Sequence, residues 1–214
     1  MFGESKCEDS GTYIGSALIV EELQHRVVNE YAMLAASVNL RARSFAGPTR
    51  DILLETSSRL CEFAEIHRAL LMPRNPGAVE LGEYLRTLCL ALSRACLAER
   101  GLCLLLRETS VRVAADRAWR VGLIVSELIT NAVKHGTWND AGIIEVEILS
   151  SAGNVYCRVS DNGGGSGGLS AGRGTDIVTA IAQELGGNLY RETDERGVTV
   201  LLIFPHSPEA SAWT

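Results

Sequence analysis

The chain has no apolar run approaching the ~20 residues that span a bilayer. Its strongest run, Leu102 to Leu106, is short and is ended by Arg107. No leader is expected: the first residues are polar, with Glu4, Lys6, Glu8 and Asp9, and carry none of the apolar stretch of a signal peptide. No membrane partner and a cytoplasmic location are therefore expected. Positive charge is short as well. With 20 Lys and Arg against 26 Asp and Glu the net charge is −6, which excludes a nucleic-acid binder, because phosphate backbones demand a basic surface. The six cysteines, Cys7, Cys61, Cys89, Cys96, Cys103 and Cys157, form no CxxC pair and mostly lie in apolar segments. They read as buried, reduced thiols rather than metal ligands or disulfides. His67 and His206 have no cysteine partners at ligand spacing, so no zinc site is expected. No GxxxxGK[ST] occurs, so there is no Walker loop.

What is present is a chain of 214 residues, 46% hydrophobic, enough for one medium domain or two small ones with a packed core. Residues 13–43 carry a helical pattern, Gly47-Pro48 punctuates it, and 49–71 continue as a second helix. Met72-Pro73-Arg74-Asn75-Pro76-Gly77 is the clearest break. Residues 12–72 thus read as an antiparallel helical hairpin, a four-helix bundle if dimeric, and 77–205 as a second domain. In that domain helices are expected over 81–100, 116–135 and 175–185. Strands are expected over 102–107, 142–150, 154–160, 188–192 and 198–204. Helices on one face of a mixed sheet make a two-layer α/β sandwich, an α+β protein as a whole.

On the first helix Leu23, Val27, Tyr31, Leu34 and Val38 gather into one stripe at ~100° per residue, expected to pack on the second helix or on a partner chain. His25 points away from it as an exposed imidazole, flanked by Glu22 and Asn29 on its own face. A neutral imidazole with an accessible nitrogen is a competent nucleophile. On the long helix of the second domain Glu127 and Asn131 share a face, with Lys134 and His135 one turn on. An acid, an amide and a cation on one edge suit magnesium and triphosphate oxygens. Asp161 follows the apolar strand Val155 to Val159, and residues 162–168 hold five glycines. A carboxylate there can accept from an exocyclic amine such as adenine's, and glycines permit close backbone approach. Gly172 and Gly174 open the next helix, whose N-terminus favours phosphate.

In this order the segments resemble a sensor histidine kinase of two-component signalling. His25-Arg26-Val27-Val28-Asn29 is similar to the phosphoacceptor box of the HisKA_2 subgroup, a relative of the HWE kinases. Residues 127–135 resemble the N box, Asp161-Asn162-Gly163-Gly164-Gly165 the G1 box, Gly172-Arg173-Gly174 the G2 box, and Gly197-Val198-Thr199 the late strand motif. Ser126 stands where the HWE subgroup has a histidine, which favours HisKA_2. The lid between Asp161 and Gly174 is short, as in the short-lid subgroup. Val28 stands where Lys is frequent, and Asp176 where an apolar or basic residue is common.

The resemblance implies a dimerisation and phosphotransfer hairpin followed by a GHKL (Bergerat) ATP-binding domain, with ATP and Mg2+ as cofactors. It implies that Asn131 ligates magnesium, that Glu127 polarises the imidazole or positions the magnesium shell, and that Lys134 contacts phosphate. Asp161 would read the adenine amine, Gly163, Gly165, Gly172 and Gly174 would cradle the nucleotide, and Thr199 would support the base through its hydroxyl. The γ-phosphoryl group would pass to His25 and then to an aspartate on a response-regulator receiver, within a homodimer. Only about a dozen residues precede the hairpin, so input is expected from a separate sensor protein, from the short tail, or not at all. A histidine phosphotransfer relay without ATP turnover is the alternative. An anti-sigma-factor-type serine kinase, which needs no such hairpin, is a third reading.

Overall fold

The computed structural model describes residues 9–73, 77–138, 142–164, 173–195 and 197–206, with the side chains of the first helix described from Glu22 onward. The chain divides into two units, Met1–Leu71 and Met72–Thr214.

The first unit is a helical hairpin of α1 (Asp9–Ala42) and α2 (Pro48–Ala69). Gly47 takes a left-handed φ of 60° in the connection. Pro48 then starts α2, where its missing N–H costs nothing. The seam between the helices is a seven-residue repeat. On α1, Gln24, Tyr31 and Val38 are half-buried, and Val28, Ala35 and Ala42 are buried. On α2, Leu53, Leu60 and His67 are half-buried, and Ser57 and Ala64 are buried. Ser57 donates its hydroxyl to the Ala35 carbonyl at 2.9 Å, which satisfies a buried polar group across the seam. Higher up, Gln24 donates to the Leu70 carbonyl at 3.4 Å. His67 stacks on Tyr31, with ring centroids 5.4 Å apart.

This seam corrects the stripe expected from periodicity. Tyr31 and Val38 belong to it, but Leu23 and Leu34 remain 52% exposed. Small residues decide the register: Ala35, Ala42, Ser57 and Ala64 let the backbones approach closely, which larger leucines would prevent. The rotation also moves His25. It lies one residue, about 100°, from Gln24 of the seam, so it flanks the packed face and is half-buried rather than exposed.

The second unit opens with β1 (Ala78–Glu80) and α3 (Leu81–Leu92), which runs on through a π turn and a 3₁₀ turn to Arg100. Gly101 stops it with φ 65°. Then follow β2 (Cys103–Glu108), β3 (Arg112–Ala114), α4 (Ala115–His135), β4 (Ile143–Ser151), β5 (Asn154–Asp161), α5 (Arg173–Glu184), β6 (Asn188–Asp194) and β7 (Gly197–Pro205). β1 and β3 form a small antiparallel pair that the sequence pattern did not announce. The main sheet has the order β2-β4-β5-β7-β6, with β2 parallel to β4 and the other pairs antiparallel.

Side-chain alternation gives this sheet one buried face. Ile144, Val146 and Ile148 of β4, Val155, Cys157 and Val159 of β5, and Val200, Leu202 and Phe204 of β7 are all buried. Against them lie Leu81, Leu85, Leu88 and Leu92 of α3, spaced by three and four, and Val121, Ile124, Val125 and Ile129 of α4. The result is the two-layer sandwich of an α+β protein. Two arginines tie its helices together. Arg120 of α4 bridges Asp116 and Glu184 of α5. Arg117 donates to the carbonyls of Leu185 and Pro205 and lies over the Phe204 ring. Cys89 and Cys157 are buried, and burial pushes both thiols up to about 12. Cys61 and Cys103, by contrast, are exposed. Cys103 begins the edge strand β2 and points to the sheet's open face, so its apolar neighbours do not bury it.

Candidate functional site

One face of α4 and the far end of the sheet line an open cleft. From α4 come Leu128, Asn131, Ala132 and His135, a spacing of three and four that keeps them on one side of the helix. From the sheet come Val159 and Asp161 of β5, Val198 and Val200 of β7, and Arg191 of β6. Gly136 and Gly163 complete the lining. Apolar walls with a few convergent polar groups are the usual make-up of a small-molecule site.

Asp161 ends β5 at the base of this cleft. Its Oδ1 accepts from the Gly163 N–H at 3.0 Å. Desolvation by burial raises its carboxyl above the ordinary value; the N–H groups of Gly163 and Val198 and the charge of Arg191 pull the other way without cancelling it. Gly197 opens β7 beside it with φ 140°. A Cβ there would overlap the Asp161 carbonyl, so only glycine lets β7 reach the end of β5.

Glu127 and Asn131, one turn apart on α4, are joined by a bond from Asn131 Nδ2 to Glu127 Oε1 at 3.2 Å. A carboxylate only accepts, so this bond fixes the amide with its nitrogen toward Glu127 and leaves Oδ1 as the remaining hard-oxygen atom. Gly174, in the first turn of α5, comes so close that a Cβ would overlap Glu127 Oε1. The start of α5, the acid and the amide therefore form one cluster. Its two oxygen donors fit magnesium, which takes one or two protein oxygens and fills the rest with phosphate and water.

The remaining residues fall as follows. Lys134 is exposed and is not part of the cleft lining; on the α4 wheel it sits with Glu127, turned from Leu128 and Ala132. His135, assigned no role from sequence, lines the cleft instead. Thr199 also lies off the lining. Val198 and Val200 face the cleft, and strand alternation turns the threonine between them to the opposite sheet face. Its register partners are Ser160 and Glu192. Gly165 and Gly172 lie outside the described residues. Arg191 carried no motif and is legible only through the pairing of β6 with β7.

Comparison with known proteins agrees with this architecture. A histidine kinase family model matches residues 22–96, and a histidine kinase-like ATPase domain model matches residues 84–204. The chain belongs to the histidine kinase family. Blue-light-activated histidine kinase 2 of Erythrobacter litoralis is 26% identical over 97% of this chain and 62% of its own length. Sensor histidine kinase PdtaS of Mycobacterium tuberculosis is 29% identical over 87% of this chain and 39% of its own length. The chain thus spans 62% and 39% of the length of these two relatives. Among solved structures, the histidine kinase domain of an Erythrobacter litoralis blue-light-activated histidine kinase superposes with a TM-score of 0.61 at 21% identity, covering 86% of this chain and 98% of that domain. No helix among the described residues is long and apolar enough to cross a membrane.

Proposed function

We propose that this chain is an ATP-dependent protein-histidine kinase that phosphorylates its own His25 and passes the phosphoryl group to an aspartate of a response-regulator receiver. The observation that carries the reading is the juxtaposition of Asp161, at the base of an apolar cleft, with the Glu127–Asn131 pair on the helix that walls it.

Each residue has a role that follows from its surroundings. Asp161, held by the Gly163 N–H, accepts from the exocyclic amine of adenine, while Leu128, Ala132, Val159, Val198 and Val200 enclose the ring faces. Asn131 offers Oδ1 to magnesium, and Glu127 fixes that amide and adds a second oxygen. Magnesium, when bound there, supplies charge neutralisation to the phosphate oxygens. Gly174 keeps the start of α5 against Glu127, which leaves backbone N–H groups of the first helical turn for phosphate. His135 supplies a polar group on the same wall. His25 supplies the nucleophile from the hairpin, and Glu127 is the acid suited to polarise it. Positioning and charge neutralisation dominate phosphoryl transfer of this kind, so little else is required of the protein.

The partners follow from the same reading. A receiver domain takes the phosphoryl group. A second copy of the chain covers the apolar side chains that the hairpin seam leaves out: Leu23, Leu34, Leu40 and Ile52 are each more than half exposed.

Purified protein given γ-labelled ATP and magnesium should acquire an acid-labile label that His25→Ala and Asn131→Ala both abolish. Label acquired only from a phosphorylated receiver would replace the kinase with a relay. Acid-stable label on a separate substrate protein would point to a serine kinase.

A further inference from the structure

The wall of the cleft contains one cation with no place in the scheme above. Arg191 of β6 pairs with Val200 of β7, and Val200 pairs with Val159 of β5. All three line the cleft, so this ladder puts a guanidinium on the same sheet face as Asp161, two residues beyond Val159. Its charge acts on the Asp161 carboxyl. Leu128, Ala132 and Val198, which line the same cleft, are uncharged.

A purine reads such a pair through its edge. A 6-amino purine offers N–H donors at position 6, and a carboxylate accepts them. A 6-keto purine offers an acceptor there instead and a donor at the ring nitrogen. A lone carboxylate would face that keto oxygen with its own lone pairs, which is a strong ground for rejection. A guanidinium on the same wall changes the balance, because it presents only donors, in a fixed fork.

The geometry points to Arg191 as a specificity-determining residue that lets the cleft accept 6-keto purine triphosphates as well as ATP: its guanidinium donates to the keto oxygen while Asp161 accepts from the ring N–H. The inference rests on the nucleotide-binding reading and adds the class of nucleotide that the site admits.

The test is displacement of a fluorescent ATP analogue from the full chain by ATP, GTP and ITP in the presence of magnesium. ITP keeps the keto oxygen and lacks the exocyclic amine of guanine, so it isolates the Arg191 contact. The wild type should bind GTP and ITP within about tenfold of ATP. Arg191→Leu should raise both the GTP-to-ATP and the ITP-to-ATP ratio of Kd values about tenfold, the value of one charge-assisted hydrogen bond. Arg191 is exposed on an edge strand, so the variant should keep the wild-type Tm. Wild-type protein that binds ATP but excludes GTP and ITP overturns the inference and leaves the kinase reading intact. So do ratios that Arg191→Leu does not change. Failure of all three nucleotides and of the analogue to bind would overturn both.

Discussion

Asp161 is pulled in two directions, toward the neutral acid by burial and toward the carboxylate by Gly163, Val198 and Arg191. Burial wins, so its proton leaves at a higher pH than from an ordinary carboxyl. On the proposed reading the ionised form is the stronger acceptor for the adenine amine, because it carries no proton and its hydrogen bond is charge-assisted. As pH falls through this raised pKa, nucleotide affinity should weaken while exposed carboxylates are still charged. Titration of a fluorescent ATP analogue across pH should show that loss, and Asp161→Asn should bind about tenfold more weakly and flatten the acid limb. An affinity unchanged through the acid range would refute the role. Gly197 belongs to the same scale. Gly197→Ala puts a side chain into a glycine-only φ and into the Asp161 carbonyl, which should lower unfolding stability by about 2 kcal/mol or more in denaturant titration. Individual residues were unequally legible in the sequence. Asp161 stood out because it ended an apolar strand before glycines. Thr199 was placed at the base by its resemblance to the late strand motif, and the parity of β7 could not correct that, because Leu201 and Ile203 on its open face are as apolar as Leu202 and Phe204 on its buried one; Val198 lines the cleft instead. Arg191 gave no local signal, since its position depends on which strand lies beside β7.

Elements with strong periodicity were readable, and those governed by small residues were not. α4 carries buried apolar positions at three- and four-residue steps from Ala118 to Val133, and the structure has that helix almost to the residue. β1 and β3 are three residues each, too short for alternation to register. In the hairpin the largest apolar residues suggested the seam, whereas Ala35, Ala42, Ser57 and Ala64 make it. His67 gives this element a pH dependence. Burial lowers its pKa below 6.5, so the unfolded chain takes up the proton first as pH falls. The stability contributed by neutral His67 is complete above the ordinary histidine value and is lost as pH drops from there toward the folded pKa. Helical melting curves monitored by circular dichroism should show Tm falling over this interval, and His67→Phe should reduce the slope. A slope identical in wild type and variant would assign the effect elsewhere.

For the whole molecule, the two-unit organisation was legible because Pro73, Pro76 and Gly77 interrupt two different hydrophobic patterns. On the proposed reading the first unit supplies the nucleophile and the second the nucleotide cleft, so the reaction needs both. On the same reading the exposed leucines of the hairpin, Leu23, Leu34 and Leu40, are the surface on which two copies would associate. Sedimentation should report a dimer, and Leu34→Glu with Ile52→Glu should give a monomer whose second unit still binds nucleotide. A wild type that stays monomeric at tens of micromolar would count against the shared face.

The central claim concerns one atom pair, a phosphorus from ATP and a ring nitrogen of His25. It is tested most directly by incubating the chain with ATP and magnesium, then mapping the phosphoryl group by peptide mass spectrometry at neutral pH. The account predicts phosphohistidine at His25, lost in acid and absent from Asn131→Ala. ATP bound normally with no phosphoryl group on His25, or one placed on a serine, would contradict it.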